Sequence, residues 1–528
     1  VDIAQIPLRG LTAPTLGTRV WPILAAAALL WLAAAGRALP LLAHRNHPDE
    51  SLYASFGWLI ASGRDPLLAG VVVDKPPLPF YLSALSFGLW GPTELAARLP
   101  NFYASLISVA LTIALARQLY DSATAGLAGW LLALSPFAIL FAVTAFIDPL
   151  VTMFLLWALC ARAARQRALA LALAFATKQT ALVFIPLVLA LDWRLLPAQT
   201  TVREALRRVW QQALPLLAAL LITSIIIFGW DAARHAPIGF WEQGYGDNMP
   251  NRLIRAGEVG PRLSAWLDLL SLFSGSNLFN ALMLACLPAR LLLHTQQPSR
   301  AALADVIIGG FVWLYLAAYW LGAFNIFDRY LLPLVPLWAL LAARVLRVIA
   351  HAVRHTAYRW GLALDQRGSV RGSRSLLGFR LNALVPILLT LALAALTLPP
   401  ALTAVREGYA IGGDHGAYDG LDDAARYLRT VPEGSVLYDY WLSWQWRFYL
   451  ADGPVYVAWL PTPAALTTEL QVFGRASPRY LVVPSWEGEA EIRAAAQAAG
   501  FAFVPRHSAR RPDGSVAFVV YQLEFVEK

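Results

Sequence analysis

Apolar residues come in blocks of membrane-spanning length as far as residue 401, and the pattern changes beyond it. The blocks lie at 20–42, 101–119, 124–145, 149–165, 168–178, 180–196, 211–230, 277–293, 302–323, 330–350 and 382–401. A bilayer core takes about 20 apolar residues per helix, so the pattern predicts a polytopic α-helical membrane protein with roughly eleven spans. The block at 168–178 is short enough to be a broken or re-entrant piece. Arg9 and Arg19 precede the first block and AAAG lies within it, a layout shared with cleaved leaders. The many later spans favour an uncleaved first helix.

Between the first two blocks the loop is long and structured. From Pro48, the apolar residues Leu52, Tyr53, Phe56, Leu59 and Ile60 fall at helical spacing, which suits a helix lying in the membrane interface. DKPPLPFYLSALSFGLWG (74–91) starts a second such helix, with Pro76 and Pro77 at its entry. After residue 402, SVLYDYW (435–441), PVYVAWL (454–460), PRYLVVPS (478–485) and VAFVVYQLEF (516–525) read as strands. The stretches 421–431, 464–474 and 489–500 read as helices. The division is therefore a membrane domain over 1–401 and a small α/β domain over 402–528.

Composition agrees with lipid as the solvent. Of 528 residues, 58% are hydrophobic and 14% charged, with mean hydropathy +0.54, against about 25% charged in soluble domains. The net charge of +9 does not point to nucleic acid, because the arginines cluster in short loops between apolar blocks. Arg117, Arg162, Arg165, Arg167, Arg194, Arg203, Arg207, Arg208, Arg290, Arg300 and the stretch from Arg344 to Arg380 share one side, the cytoplasmic one by the positive-inside rule. The loops at 43–100, 231–276 and 324–329 and the α/β domain then face outward. The two cysteines, Cys160 and Cys286, lie in apolar blocks and define no disulfide framework. No Gly-rich phosphate loop occurs in the α/β domain, which argues against a nucleotide site there.

On that outward face stand the candidate reactive groups. Asp49 and Glu50 have an ordinary reading as first-turn acids complementing a helix dipole, and Asp148 before Pro149 reads equally well as a helix N-cap. Together with Lys75 beside Pro76 and Pro77, they form a constellation at one membrane face. Lys178 sits within apolar sequence, where an ionisable residue is a functional candidate or a snorkelling one. The aromatic loop 230–262 adds Arg252 and Arg255, able to hold phosphate, and Trp241 and Tyr245, able to stack on a sugar. Each has the alternative of interfacial anchor or solvated charge. His235 has no spaced partner and reads as a polar loop residue rather than a metal ligand.

The motifs HPDESLYA, DKPPLPFYLSAL with GPTELAARLPN, FIDPLVTMF, LAFATKQTALVFIPLVLAL and DRYLLPLVP occur in that order over most of the first 350 residues. In them the chain resembles the GT-C superfamily of membrane glycosyltransferases, in the branch of bacterial relatives of protein O-mannosyltransferases and the lipid A aminoarabinose transferase. The resemblance implies an inverting transfer of a sugar from a polyprenyl-phosphate carrier to an acceptor hydroxyl, outside the cytoplasmic membrane. It implies Asp49 as base with Glu50 its neighbour, Asp148 as the second acidic motif, and Lys75 as the lysine beside Pro-Pro. Where the aminoarabinose transferases have a metal-contacting Glu this chain has Asp74, which speaks against a metal there; a divalent metal is the one cofactor the resemblance leaves open.

The chemistry asks for the same residue types. An acceptor hydroxyl needs a carboxylate to take its proton, and a departing phosphate needs cations, for which Lys75, Lys178 and Arg329 are placed. The partners implied are a polyprenyl-phosphate-linked sugar, a lipid, glycan or protein acceptor, and membrane lipids. Two other classes fit a polytopic chain: a secondary transporter, which would show repeated halves and midplane charges, and a noncatalytic assembly protein of the same fold.

Overall fold

The structure is a computed structural model that describes residues 16–193, 202–283, 300–367, 376–406 and 408–527. Its helical body begins with α1 (Leu16–Ala38), α2 (Pro48–Ala61), α3 (Leu78–Trp90), α4 (Glu94–Leu119), α5 (Ser122–Ala133) and α6 (Pro136–Ala142). It continues through α7 (Asp148–Cys160), α8 (Ala164–Thr177), α9 (Ile185–Trp193), α10 (Val202–Arg234), α11 (Phe240–Asn248) and α12 (Val259–Ser271). The long helices Arg300–Leu321, Val335–Arg367 and Leu376–Val405 follow. Every apolar block meets a helix; most of the block at 277–293 lies outside the described residues.

Among the described residues five helices are long and apolar enough to cross a membrane, or six if α5 and α6, bent by 58° at their break, count as one span. Four further apolar helices are shorter. The span Trp210–Arg234 is only 11% buried; Leu217, Leu221, Ile222, Ile225 and Ile226 face outward along it. So large an exposed apolar face is stable against lipid and not against water. By contrast, Leu337 to Ala343 are almost wholly buried, and the small side chains of Ala339, Ala342 and Ala343 let neighbouring helices approach closely.

Local chemistry explains where helices start and break. Asp121 Oδ1 accepts the Thr124 amide at 2.8 Å and starts α5, while the Thr93 hydroxyl accepts the Ala96 amide at 3.2 Å and starts α4. At the break before Pro136, the carbonyls of Leu132 and Ala133 are taken by the buried Arg37 guanidinium, which also donates to Ser105 Oγ at 2.8 Å. Backbone acceptors freed by a bend are thus satisfied from α1.

The C-terminal domain carries a five-stranded sheet of order β2-β1-β3-β5-β4, built from β1 (Ser435–Asp439), β2 (Val455–Trp459), β3 (Arg479–Pro484), β4 (Phe501–Arg510) and β5 (Val516–Phe525). β1 pairs in parallel with β2 and β3, whereas β5 runs antiparallel to β3 and β4. Four of these strands coincide with the alternating stretches; β4 was not anticipated, because Pro505, Arg506 and His507 interrupt its apolar pattern at the sheet edge. The short helix Trp444–Tyr449 was not anticipated either. It fastens the domain to the body: Trp444 meets Phe56 edge-on at 5.3 Å, Gln445 Nε2 donates to the Asn46 carbonyl at 3.0 Å, and the Asn46 amide donates to Tyr449 Oη at 2.9 Å.

Candidate active site

The head of α2 is set by its first four residues. His47 Nδ1 accepts the Asp49 amide at 3.2 Å, and Glu50 Oε2 accepts the His47 amide at 2.9 Å, a capping box closed by an imidazole. The Glu50 side chain turns inward and is fully buried, where Oε1 accepts the Ala145 amide at 2.7 Å and Arg98 Nε at 3.3 Å. Arg98 spends its other donors on the carbonyls of Leu41, His44 and Arg45, each at 3.0 Å. Glu50 therefore ties the 41–50 segment to α4 and to the loop before α7, and leaves Asp49 facing outward.

Asp49 Oδ2 accepts Arg329 Nη1 at 2.6 Å. Arg329 opens the turn Asp328–Leu334, and its guanidinium lies between the rings of Phe146 and Phe327, 5.1 and 4.8 Å from their centroids. Its backbone is anchored, since Asp328 Oδ1 accepts the Arg329 amide at 2.7 Å and Asp328 Oδ2 accepts the Gly412 amide at 2.9 Å.

Asp148 is the first residue of α7, and its side chain caps nothing. It lies 2.6 Å from Lys178 Nζ, and both side chains are almost completely buried. Lys178 follows α8 in extended conformation, with its ammonium 4.8 Å over the Tyr330 ring. Lys75, also buried, bonds to the Asp74 carboxylate.

Two cavities meet at these cations. One is a solvent-open cleft spanning about 1450 Å³ and lined by charged groups, with Asp49, Tyr53, Asp74, Asp247, Arg329 and Arg447 in its wall. The other encloses about 680 Å³, is mostly apolar, and is walled by Trp241, Tyr245, Met249, Tyr319 and Phe324. Lys75, Lys178, Asn248 and Tyr330 line both. The partition between them depends on Gly244 of α11: a Cβ there would sit 2.5 Å from the Asp74 carbonyl oxygen and 2.5 Å from Gln179 Nε2. Only a glycine lets α11 lie that close to the segment bearing Lys75.

Over residues 74–228 the chain matches the family described as dolichyl-phosphate-mannose-protein mannosyltransferase. Among curated proteins none matches it by sequence. Among solved structures it is similar to ArnT from Cupriavidus metallidurans, both in the apo state (TM-score 0.63, 17% identity, 96% of this chain and 98% of that chain) and bound to undecaprenyl phosphate (TM-score 0.59, 16% identity, same coverage). It is also similar to the apo oligosaccharyltransferase of Archaeoglobus fulgidus (TM-score 0.55, 12% identity, 96% of this chain and 75% of that chain). The chain has the GT-C fold.

Within this GT-C body the structure gathers Asp49, Lys75, Lys178, Arg329, Trp241 and Tyr245 around the paired cavities, with Asp148 behind Lys178. Glu50 does not face them. Arg252 is exposed and spent on Glu258 through two contacts of 2.8 Å, and neither it nor Arg255 lines either cavity. Burial, not sequence neighbourhood, separates Glu50 from Asp49, and a nearby carboxylate diverts Arg252. His235 is an exposed residue with φ +52° after α10. Asp74 is bonded to Lys75, and among the described residues no three His, Cys, Asp or Glu side chains converge.

Sequence reasoning missed Tyr53, Asp247, Asn248, Tyr330, Trp444 and Arg447 as cavity residues. Trp444 and Arg447 come from the C-terminal domain, and Arg447 lies 4.8 Å over the Trp444 ring. The turn before them is held by Asp439 Oδ1, which accepts the Leu442 and Ser443 amides at 3.1 and 2.9 Å. Ser443 takes the left-handed φ of +39° to aim Trp444 at the cavity. The WLSWQWR stretch (441–447) was the available signal.

Proposed function

We propose that the chain is an inverting glycosyltransferase that moves a sugar from a polyprenyl-phosphate donor to an acceptor hydroxyl at the extracytoplasmic face of the cytoplasmic membrane. The observation that carries this reading is the meeting of an apolar, aromatic-walled cavity and an open polar one at Lys75 and Lys178, with Asp49 on the polar side. A prenyl chain belongs in the first, an acceptor in the second, and the phosphate between them. ArnT in complex with undecaprenyl phosphate supports a lipid-phosphate ligand for the fold, and the arginine-rich loops support the assignment of sides.

The roles follow from charge. Asp49 takes the proton of the acceptor hydroxyl as its oxygen bonds to the anomeric carbon. The bond from that carbon to the phosphate oxygen breaks on the opposite side, inverting the centre, and its electron pair leaves on the phosphate. A phosphodiester thereby becomes a monoester with one more negative charge, which Lys75, Lys178 and Arg329 stabilise. Asp148 holds the Lys178 side chain in place through their 2.6 Å contact.

The test is transfer by the purified full-length protein from polyprenyl-phosphate donors with radiolabelled sugars, followed by the release of label from lipid into water-soluble or acceptor-bound form. Release that requires Asp49 is the expected result. Binding without release from any donor would leave a noncatalytic lipid-phosphate receptor.

A further inference from the structure

The two lysines at the junction and Arg329 in the open cavity each already have a carboxylate: Lys75 has Asp74, Lys178 has Asp148 and Arg329 has Asp49. These six side chains sum to zero charge. Among these six side chains a donor phosphate meets no net charge, and each of the three cations can serve it fully only by leaving its own carboxylate.

The pairs differ in how readily they open. Lys178 and Asp148 expose 4% and 2% of their side chains, so parting them would strand a buried charge. Lys75 and Asp74 are chain neighbours, exposed by 8% and 21%. Arg329 and Asp49 expose 16% and 37%, the most accessible of the three, and a part-exposed pair strands less buried charge on parting than a fully buried one. Arg329 touches Asp49 through Nη1 alone; among the described residues Nε and Nη2 have no protein acceptor, and the residue lines the open cavity. Its backbone amide is held by Asp328, so a side-chain swing between the two phenylalanine rings suffices.

We infer that Arg329 is a donor-operated switch on the base: the donor phosphate draws the guanidinium off Asp49, and only then is the carboxylate free to accept the acceptor proton. The inference rests on the lipid-phosphate reading of the site. It makes deprotonation of the acceptor conditional on a loaded donor. Without a donor, Asp49 stays occupied.

The test reads binding, not transfer. The full-length protein in detergent is titrated calorimetrically with geranyl phosphate, a short-chain prenyl phosphate. Asp49→Asn removes the rival for Arg329 and should tighten binding at least threefold, while Arg329→Met should weaken it about tenfold. In the Arg329→Met background Asp49→Asn should have no further effect. A tightening that persists in that background is simple charge repulsion and overturns the switch. Unchanged or weaker binding by Asp49→Asn overturns it as well, making the pair a static dyad. Arg329→Gln, which removes the charge but keeps a polar side chain, carries the same comparison if the methionine variant fails to fold. If the parent protein binds no prenyl phosphate, the lipid-phosphate reading itself falls; if it binds but the coupling is absent, only the switch does.

Discussion

Lys178 Nζ lies 2.6 Å from Asp148 Oδ1, while Asp148 Oδ2 is buried without a hydrogen-bond partner among the described residues. Removing one member of such a buried pair leaves the other uncompensated, at a cost of about 3–5 kcal/mol. Lys178→Met and Asp148→Asn should each lower stability in denaturant titrations in detergent. The double variant should be more stable than the sum of the two losses predicts. Additive losses would mean that the residues do not act as a pair.

At Asp49 the expected loss is chemical. Asp49→Asn keeps the size of the side chain and its place in the first turn, so the fold should survive. Transfer should fall at least ~10²-fold, the scale of a positioned base. Parental turnover in this variant would move the base elsewhere.

Glu50 should behave in the opposite way. Its carboxylate holds Arg98 and two backbone amides, and Glu50→Ala should cost ~3 kcal/mol or more through the unpaired guanidinium. Glu50→Gln, which preserves one acceptor oxygen, should be less damaging, and turnover per folded molecule should stay within a few-fold of the parent. A well-folded Glu50→Gln protein with a collapsed rate would return Glu50 to the chemistry.

The segment that links the body to the sheet has a pH signature. Burial, with nearby Glu50 as a lesser cause, pushes the Asp414 carboxyl up from 3.8 to about 6. The fold then binds this proton more tightly than the unfolded chain does. Its contribution is most favourable below pH ~4 and is lost as pH rises towards 6, by up to ~3 kcal/mol. Melting curves of the parent at pH 5 and 7 should differ more, in this direction, than those of Asp414→Asn. Equal pH responses would remove Asp414 as the cause.

Orientation can be read by labelling. Ser62, exposed beyond α2, and Gln166, exposed in α8, lie on opposite sides in the arginine-based topology. With the native cysteines replaced, Ser62→Cys should react with an impermeant maleimide on intact cells and Gln166→Cys only after permeabilisation. The reverse pattern would place the paired cavities in the cytoplasm.

Apolar blocks carried the spans of the helical body, though not α11 and α12, which lie in a stretch read as a loop, and alternation carried four of the five strands, because both patterns record burial directly. Residue type and position singled out Asp49, Lys75, Asp148, Lys178 and Arg329 as well, since charges amid apolar sequence are costly and therefore conspicuous. Pairing was not legible. Asp49 and Arg329 are 280 residues apart, and nothing local separates an outward Asp49 from an inward Glu50 or shows that Arg252 is taken by Glu258. Trp444 and Arg447 escaped notice for a related reason. They sit in a domain whose strands read as self-contained, and only its docking on α2 turns them towards the cavity.

The hydrogen bond from Gly412 to Asp328 has a mechanical consequence. Gly412 belongs to the strap entering the sheet domain, and Asp328 precedes Arg329 in the chain, so the strap is tied directly to the peptide that carries the guanidinium facing Asp49. A rigid-body tilt of the sheet would reach Asp49 through one amide, as a lever reaches its load.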